Sequence, residues 1–518
     1  MIGRALLQPC SSYLGFMRYA TLLPLLWLSV FGRANTYHVT TTGNDGASGL
    51  SVAAAWATPQ HGADVAVAGD TVLVHAGGFP GFAVMDHSGT ASAPIVFLGT
   101  GGTVSITSPC SYNNVDGINV EGVDWIVIDG FTVNDMPRTG IRTVLTDHVT
   151  IRYNSCANNF KWGILTGFAE HVVIEQNTCS GSEDEHGIYF GNSADDPIIR
   201  YNHCFDNYAN GIHMNGDASL GGDGTISNAQ VYGNVIHGNG EGGGSGINCD
   251  GVVNSVFFNN LLFDNHASGI SLYQIDGGVP STGNKVFNNT IINATDARWC
   301  VNITDACAGN QVLNNILINQ HPSRGSIVIA DDALSGFVSD HNLVVERLSP
   351  DGDNTILDLA DWQALGYDAN SQVADPLTSL FLDAPGGDFH AFDVQSQQVD
   401  AGTAAVLPVV AVDLSLVPRP QGLAFDIGCF EFGQSASIAQ PAGEGSAVVM
   451  CAQGSICLIG APAGAILKVF DAAGRSIAVL RTTSEGAHLA DVPPASVLYY
   501  RLEDRTGRIL VRGALLQP

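Results

Sequence analysis

Short apolar strands separated by Gly and Asn recur along the middle of the chain, and they show no helical period. Their clearest marker is a Gly-Ile pair, which stands at Gly140-Ile141, Gly163-Ile164, Gly187-Ile188, Gly211-Ile212, Gly246-Ile247 and Gly269-Ile270. The first four pairs lie 23 or 24 residues apart, one longer step follows, and the last step returns to 23 residues. A period of this length is typical of a solenoid in which each repeat forms one coil.

A column of asparagines runs in phase with these pairs. It consists of Asn154, Asn177, Asn202, Asn234, Asn260, Asn289 and Asn315, each of which follows a short apolar strand. Asparagine tolerates the left-handed backbone of a tight turn, and its amide can hydrogen-bond to the same residue one coil away. The pattern predicts an asparagine ladder along one corner of the solenoid.

These coils, with parallel strands about 4.8 Å apart, predict an all-β protein. From about Tyr37 to Val345 the pattern resembles the right-handed parallel β-helix repeat family, which has the pectate-lyase-like fold. The resemblance implies a right-handed parallel β-helix, with residues before Ala68 forming an N-terminal cap. It says little about chemistry, because lyases, hydrolases, epimerases, phage tailspikes and adhesins share this fold.

The order of the chain also predicts its domains. Residues 1–34 are typical of a signal peptide with its core at 17–34, because a basic residue precedes an apolar run that ends in small residues. We expect the β-helix over residues 35–345 and its C-terminal cap over 346–433. A linker rich in Ser, Ala, Gln, Pro and Gly follows over 434–447.

Residues 448–518 are expected to form a small β-sandwich that resembles the sorting domain of the type IX secretion system. The resemblance rests on the stretches Leu467–Arg475, Leu498–Leu502 and Gly507–Leu510. Pro494-Ala495-Ser496 stands where the family usually has Gly before its Val/Tyr strand. The resemblance implies that the type IX machinery is a partner and that the protein is secreted or attached to the cell surface, with no membrane span in the mature chain.

The charge of the chain narrows the range of partners. The sequence has 49 Asp and Glu against 20 Lys and Arg, which gives a formal net charge of −29. Phosphates would be repelled, which argues against nucleic acids and anionic membranes as partners. An acidic polysaccharide needs a bound cation or a local group of Arg or Lys to hold it. We expect a monomer.

The 11 cysteines do not follow a simple disulfide pattern. Cys156, Cys179 and Cys204 each stand two residues after a ladder asparagine, and cysteines in one phase favour a column of buried thiols. Cys300–Cys307 and Cys451–Cys457 are the expected local bridges.

A candidate site lies on the outward face of the Gly-Ile strands. Because strand side chains alternate, each Ile points inward and the next residue points outward. The outward positions hold Arg142, Leu165, Tyr189, His213, Asn248 and Ser271, and two residues further on Val144, Gly167, Gly191, Asn215, Asp250 and Tyr273. The loops Asp217–Thr225 and Asp276–Gly283 interrupt the period beside this face, and such loops commonly build the binding site of a solenoid. We expect a groove lined by the polar and aromatic members of both sets.

The family resemblance and this face together favour a polysaccharide lyase or epimerase that acts on a glycan containing uronic acid. A base must remove the proton at C5 while a cation neutralises the carboxylate. The predicted proton-transfer residues are His213, Tyr189 and His186. Arg142, Lys161 or a bound Ca²⁺ would neutralise the carboxylate, and the calcium ligands would be Asp217, Asp223 and Asp250.

Two other functions stay open at this stage. A glycoside hydrolase needs carboxylates on both sides of the bond, for which Asp184, Asp217 and Asp250 are available. A non-catalytic glycan-binding protein or adhesin at the cell surface would use the same face without a reactive base.

Overall fold

The computed structural model describes residues 34–433, together with the backbone of seven strands between residues 448 and 516. Residues 34–433 form a parallel β-solenoid in which each coil contributes one strand to each of three long faces. The all-β parallel solenoid predicted from the period is confirmed.

The first face, called sheet 1 below, contains eleven parallel strands. They are Phe82–Val84, Asp116–Glu121, Thr139–Asp147, Trp162–Glu170, His186–Gly191, Ile212–Asn215, Ser245–Asp250, Ser268–Tyr273, Val301–Ile303, Ile327–Ile329 and Leu348–Ser349. The Ile residues of the six Gly-Ile pairs stand opposite one another in this sheet, and each is fully buried. Their column of apolar side chains fills the core of the solenoid.

The other two long faces meet at the ladder corner and are joined into one sheet of 22 strands. The strands of sheet 2 are Thr36–Val39, Thr71–Pro80, Ile95–Ser108, Ile126–Asp129, Thr150–Arg152, Val173–Glu175, Ile198–Arg200, Gln230–Tyr232, Val256–Phe258, Lys285–Phe287, Gln311–Leu313 and Val338–Asp340. Those of sheet 3 are Thr132–Val133, Ser155–Ala157, Thr178–Ser180, His203–Phe205, Val235–His237, Leu261–Phe263, Thr290–Asn293, Ile316–Asn319, Leu343–Val344 and Gln372–Val373. The long strands Thr71–Pro80 and Ile95–Ser108 run through both faces and join them. A fourth, short sheet contains Ala194–Asp195, Ile226–Ser227 and Val252–Val253.

The asparagine ladder is formed as predicted. From Asn154 to Asn315, each side-chain amide donates to the Oδ1 of the equivalent asparagine on the next coil at 2.9–3.1 Å, and Asn342 continues the series. A second ladder, formed by Asn207, Asn239 and Asn265, follows sheet 3. Sequence reasoning missed it because Ser182 occupies its place one coil earlier.

Removing one ladder side chain is expected to destabilise the whole solenoid. The Asn234 amide is fully buried, donates to Ile199 O and Asn260 Oδ1, and accepts from the Asn202 backbone and side-chain N–H groups. Asn234→Ala leaves several of these groups buried without partners, so the free energy of unfolding should fall by about 2–4 kcal/mol. Urea unfolding measures the loss, and the exposed Asn354→Ala is the control, with an expected change below about 0.5 kcal/mol. Equal losses in the two variants would contradict the role given to the ladder.

The cysteine column is also confirmed. Cys156, Cys179 and Cys204 stand opposite one another on adjacent strands of sheet 3, and all three are buried free thiols. The predicted Cys300–Cys307 bridge is wrong, because both thiols are free and the extended strand Val301–Ile303 lies between them. The side chains of Cys451 and Cys457 lie outside the described residues.

Both ends of the solenoid are covered. At the N-terminal end, the 3₁₀ turn Val52–Ala54 and the helix Pro59–Val65 pack on the first coil, and the Thr58 hydroxyl caps the helix by accepting from His61 N. At the other end lie the helices Leu359–Ala364 and Leu377–Leu380 and a hairpin of Phe381–Asp383 with Asp388–Ala391. Further 3₁₀ turns are Ala218–Leu220, Asp331–Ala333, Ala384–Gly386 and Ala404–Val406.

The segment from residue 400 to 433 returns along the ladder corner. Arg419 forms a fully buried ion pair with Glu431 at 2.8 Å and also donates to Gly428 O. The Asn288 and Asn314 side chains donate to backbone carbonyls of this segment. The predicted C-terminal cap therefore covers the side of the coils as well as their end.

Seven strands follow residue 447 and pair antiparallel. Val448–Ala452, Ser455–Ile459 and Ala487–Leu489 form one sheet, and Ile466–Asp471, Ser476–Arg481, Val497–Glu503 and Ile509–Leu516 form the other. Two antiparallel sheets are the content predicted for a small β-sandwich. The predicted signal peptide, apart from residue 34, and the whole linker lie outside the described residues. Of the helices in the described part of the chain, none is long and apolar enough to cross a membrane.

Candidate functional site

An open groove of about 450 Å³ lies on the outer face of sheet 1, over its last five strands. Its lining includes Ser245, Asn248, Ser271, Tyr273, Arg298, Trp299, Asn302, Thr304, Asp305, Arg324 and Asp353. Three of the predicted site residues, Asn248, Ser271 and Tyr273, are therefore in the groove. The groove continues toward the C-terminal end of the solenoid, past the last Gly-Ile pair.

A polar network holds these three predicted residues. The Ser245 hydroxyl lies 3.1 Å from Asn248 Oδ1 and 2.8 Å from the Ser271 hydroxyl. With its Oδ1 occupied in this way, Asn248 directs its Nδ2 to the Tyr273 hydroxyl oxygen, to which it donates at 2.8 Å. Because these side chains stand on neighbouring coils, the register of sheet 1 fixes their arrangement.

Two histidines extend this network behind the groove. Asn210 Oδ1 accepts from Ser245 N, which directs its Nδ2 toward His186 Nδ1 at 3.1 Å, and the Asn210 backbone N–H also donates to that nitrogen. His186 Nδ1 is therefore an acceptor, and the neutral ring carries its proton on Nε2. Nε2 lies 2.9 Å from His213 Nδ1, so this ring accepts at Nδ1 and carries its own proton on Nε2.

The hydrogen bonds along this chain all point toward Tyr273. His213 Nε2 lies 3.4 Å from the Tyr273 hydroxyl, which thus receives donors from both His213 and Asn248. With two donors on its oxygen, the hydroxyl directs its own proton into the groove. Burial raises the pKa of Tyr273 well above its usual value, and the charge of Asp250 adds to this effect.

The histidines are held neutral. Burial lowers the pKa of His213 to about 4, and burial followed by the charge of His213 lowers the pKa of His186 well below its usual value. Two neutral rings joined to a phenol can orient and stabilise the Tyr273 oxygen without adding positive charge.

This arrangement predicts a loss of stability in acid. The unfolded chain binds a proton at each histidine near pH 6.5, whereas folded His213 and His203 bind one only near pH 4, again because of burial. Above pH 6.5 these histidines are neutral in both states and the shifts have no effect on stability. As the pH falls from 6.5 toward 4, the unfolded state binds protons that the folded state does not, so the free energy of unfolding decreases. We expect Tm to fall less between about pH 7 and pH 4 in His213→Gln than in the wild type, as measured by calorimetry. The exposed His390→Gln should follow the wild-type curve, and a parallel fall in all three proteins would contradict the effect.

Two arginines in the groove have no acidic partner. Within residues 34–433, five arginines form ion pairs with carboxylates: Arg138, Arg142, Arg152, Arg200 and Arg419. The guanidinium groups of Arg298 and Arg324 do not, and both line the groove. Arg347 positions the Arg324 loop by donating to the carbonyls of residues 319, 321 and 324. The groove therefore offers an anionic ligand two positive charges without ion pairs, although the carboxylates of Asp305 and Asp353 line it as well.

Sequence reasoning missed these arginines because the repeat changes its marker. Val301, Ile327 and Leu348 occupy the column of Ile270, so three more coils follow the last Gly-Ile pair. Cys300 stands where the earlier coils have Gly, which hid the coil from a search for Gly-Ile. A search for apolar residues about 31 positions after Ile270 would have found Val301, and with it the neighbouring Arg298 and Asn302.

Other predicted residues lie outside the groove lining. Tyr189 and Asn215 bind each other through Asn215 Nδ2, at 3.1 Å from the Tyr189 hydroxyl, and burial raises the pKa of Tyr189 to about 12. The charge of Arg142 is taken up by Glu121 at 2.5 Å. Lys161 is held by Glu185 at 2.5 Å and Asp184 at 3.4 Å. These two cations are engaged within the protein.

The three aspartates predicted as calcium ligands do not converge. Asp250 is buried and accepts the backbone N–H groups of residues 275–277, which anchors the loop beside Tyr273. Asp217 caps the turn Ala218–Leu220, and Asp223 accepts from Thr225 N. These three carboxylates are therefore not grouped around one point in the described part of the chain.

Fold and groove together define a parallel β-helix protein with a polar groove on one sheet. Residues 92–223 match the family model described as a right handed beta helix region, which agrees with the predicted handedness. No curated protein matches the chain.

Among solved structures, the chain is similar to pectate lyase Pel9A, with 16% identity and a TM-score of 0.52 over 77% of this chain and 97% of that one. It is also similar to a rhamnogalacturonan lyase, with 13% identity and a TM-score of 0.44 over 70% of this chain and 96% of that one. An alginate lyase from Paenibacillus sp. str. FPU-7 has 17% identity and a TM-score of 0.37 over 56% of this chain and 97% of that one. The likeness to Pel9A establishes a shared β-helix fold.

Proposed function

We propose that this protein is a polysaccharide lyase that cleaves a glycan containing uronic acid in the groove on sheet 1. The observation that carries the proposal is the pair of guanidinium groups, Arg298 and Arg324, that line the groove with Tyr273 and have no carboxylate partner within residues 34–433. The likeness to a pectate lyase supports a polysaccharide as the substrate.

Charge explains why two free arginines favour a uronate. The chain has a formal charge of −29, so a polyanion is repelled except where cations are concentrated. A guanidinium group binds a carboxylate through two parallel N–H donors. Arg298 and Arg324 would thus hold the carboxylate at C6 of the sugar and spread the negative charge that develops when the C5 proton leaves.

In this mechanism Tyr273 both accepts the proton from C5 and donates it to O4. Its phenolate oxygen takes the proton from C5, and the electron pair of the C5–H bond forms the C4=C5 double bond. The C4–O4 bond breaks, and its electron pair remains on O4. Tyr273 then returns the proton to O4, so the products are an unsaturated uronate and a new chain end, and the residue regains its starting state.

The network behind Tyr273 prepares this step. Asn248 Nδ2 and His213 Nε2 both donate to the phenolic oxygen, and hydrogen bonds to the charged form stabilise a phenolate. His213 and His186 act here as positioning residues, because they reach the substrate only through Tyr273. In this proposal Tyr273 is the base, whereas the sequence pointed to His213, Tyr189 and His186.

We also propose that the protein is exported. The apolar run after Arg18 and the resemblance of residues 448–518 to a type IX sorting domain support this. Fractionation of cells that produce the full chain, compared with a chain lacking residues 448–518, tests it. Retention of both chains in the cytoplasm would overturn this part of the proposal.

Incubation of the purified full chain with a panel of polyuronates tests the activity. Polygalacturonate, polymannuronate and polyguluronate are followed by ultraviolet absorbance of the conjugated product, by reducing ends and by NMR of the sugar stereochemistry. A rise in absorbance on one polymer is the expected result. New reducing ends without absorbance would show a hydrolase, and inverted C5 centres without cleavage would show an epimerase. Retention on a polyuronate column without any reaction would show a binding protein, and each of these three results overturns the lyase proposal.

A further inference from the structure

A second cluster of chemically active side chains lies at the corner between sheet 1 and sheet 2, away from the groove. There the strands Thr139–Asp147 and Trp162–Glu170 end, and each turns through one residue in the left-handed conformation, His148 with φ 57° and His171 with φ 50°. Trp125 and Asp196 occupy the same corner on the coils before and after, with φ 58° and 56°. Four side chains, Trp-His-His-Asp, are thus stacked one per coil.

Ring stacking orients the two imidazoles. The Trp125 ring lies 3.8 Å from His148 with an interplanar angle of 19°, and the His148 ring lies 4.4 Å from His171 at 18°. Because the indole covers one face of His148, the ring has little freedom to turn. Both imidazoles therefore present the same edge to the neighbouring carboxylate.

That carboxylate belongs to Asp147. Its Oδ1 lies 2.6 Å from His148 Nδ1 and 2.9 Å from His171 Nδ1. Within residues 34–433, these three form the only group of His, Cys, Asp and Glu side chains whose ligand atoms all lie within 4.8 Å of one another.

The contact to His148 is not an ordinary hydrogen bond. His148 Nδ1 is buried and has no hydrogen-bond partner in an acceptable direction, although the Asp147 oxygen is only 2.6 Å away. The Nδ1 atom of His148 is therefore a buried polar atom next to the carboxylate whose hydrogen-bonding capacity is unused.

We propose that Asp147, His148 and His171 bind a divalent transition-metal ion of the zinc class. Two imidazole nitrogens and one carboxylate oxygen are a donor set that Zn²⁺ accepts at about 2.0–2.2 Å. Asp196 Oδ2 lies 3.8 Å from His171 Nε2, the nitrogen that faces away from the ion. At this distance the carboxylate attracts the imidazole electrostatically but is not hydrogen-bonded to it. The fourth position faces solvent, because Asp147 and His171 are nearly half exposed.

The role of this ion is structural. Asp147 and His148 lie on one coil and His171 on the next, so the ion adds a link between two adjacent coils in the N-terminal part of the solenoid. The groove begins at strand Ser245–Asp250, which is three coils beyond strand Trp162–Glu170, or about 14 Å at the usual strand spacing. The ion therefore takes no part in chemistry in the groove.

Zinc binding by the untagged full chain tests the proposal. Protein stripped with EDTA is titrated with Zn²⁺ in competition with a chromophoric chelator, and the stoichiometry and Kd are compared with those of His171→Ala and Asp147→Asn. The matched control is His266→Ala, because His266 Nδ1 also lies 2.9 Å from an aspartate, Asp296, but has no third ligand. Circular dichroism confirms that each variant is folded.

We expect the wild type to have one Zn²⁺ site whose Kd rises at least about 10-fold in both cluster variants. The Kd should be unchanged in His266→Ala. The Cu²⁺ form of that site should show two imidazole nitrogens by electron paramagnetic resonance, and Zn²⁺ should raise the wild-type Tm but not that of His171→Ala. Equal Zn²⁺ binding by the wild type and the cluster variants, or no binding by the wild type, would overturn the proposal. Because none of these readouts uses a glycan, the result is independent of the proposed lyase activity.

Discussion

Replacing Tyr273 with phenylalanine is expected to lower kcat/KM on the polyuronate substrate by about a thousandfold. The change removes only the hydroxyl oxygen that lies 2.8 Å from Asn248 Nδ2 and 3.4 Å from His213 Nε2. A positioned acid–base residue commonly accounts for a factor of 10² to 10⁴. Initial rates of absorbance change measure the effect, and affinity electrophoresis should show that the variant still binds the polymer.

Tyr189→Phe is the matched control for this change. Tyr189 stands on the same face of sheet 1, but its hydroxyl contacts Asn215 and does not line the groove. Its loss should change kcat/KM less than about 10-fold. Full activity in Tyr273→Phe, or a larger loss in Tyr189→Phe, would rule out Tyr273 as the proton-transfer residue.

The pH dependence of kcat/KM provides a second, independent test of Tyr273 as the proton-transfer residue. Because burial raises the pKa of Tyr273, only a small fraction of the free enzyme carries the phenolate near neutral pH. That fraction grows about tenfold for each pH unit below the pKa, so kcat/KM should rise from about pH 7 to about pH 9. His213 remains neutral over this range, since its pKa is about 4.

Removing the charge of Arg324 or of Arg298 is expected to lower kcat/KM by about two orders of magnitude. A lost charge-assisted contact in a groove costs about 1.5–3 kcal/mol, or roughly a factor of 10 to 150. Arg324→Gln and Arg298→Gln keep much of the side-chain volume while removing the cation. Steady-state kinetics measure both the rate and KM.

Two controls separate charge neutralisation from a general disturbance of the protein. Arg152→Gln removes an arginine that pairs with Asp129 on sheet 2, and it should leave the kinetics unchanged. A methyl-esterified polymer lacks the carboxylate charge, so the difference between the wild type and either groove variant should shrink on it. Unchanged kinetics in both groove variants would remove the observation on which the proposed function depends.

Much of the fold was determined by local sequence. The Gly-Ile pairs predicted sheet 1 because the same inward isoleucine fills the same place in each coil, and each coil is shaped by its own turns and its immediate neighbours. The asparagine ladder followed for the same reason, since each amide needs only its copy one coil away. The free thiols of Cys156, Cys179 and Cys204 were predicted because the three cysteines occupy the same position in successive repeats. Regularities that repeat with the coil can be recognised without coordinates.

The site was predicted only in part. Asn248, Ser271 and Tyr273 were found because they continue a repeating column on the outward face. Arg298 and Arg324 were missed for two reasons. The repeat loses its Gly at Cys300, and the sequence does not show that these two arginines lack a carboxylate partner. Arg142 and Lys161 were predicted to bind the substrate because they are cations near the candidate face. In the structure they form ion pairs with Glu121 and Glu185 instead.

The solenoid, its core and the face on which the groove lies could be predicted from the residue pattern, because they depend on a period and on the alternation of strand side chains. The three-dimensional structure was needed to show where along that face the groove opens, which charges have no ion-pair partner, and that His186 and His213 direct their hydrogen bonds to Tyr273. These features depend on distances between side chains on different coils and on loops of unequal length. No period in the sequence encodes them.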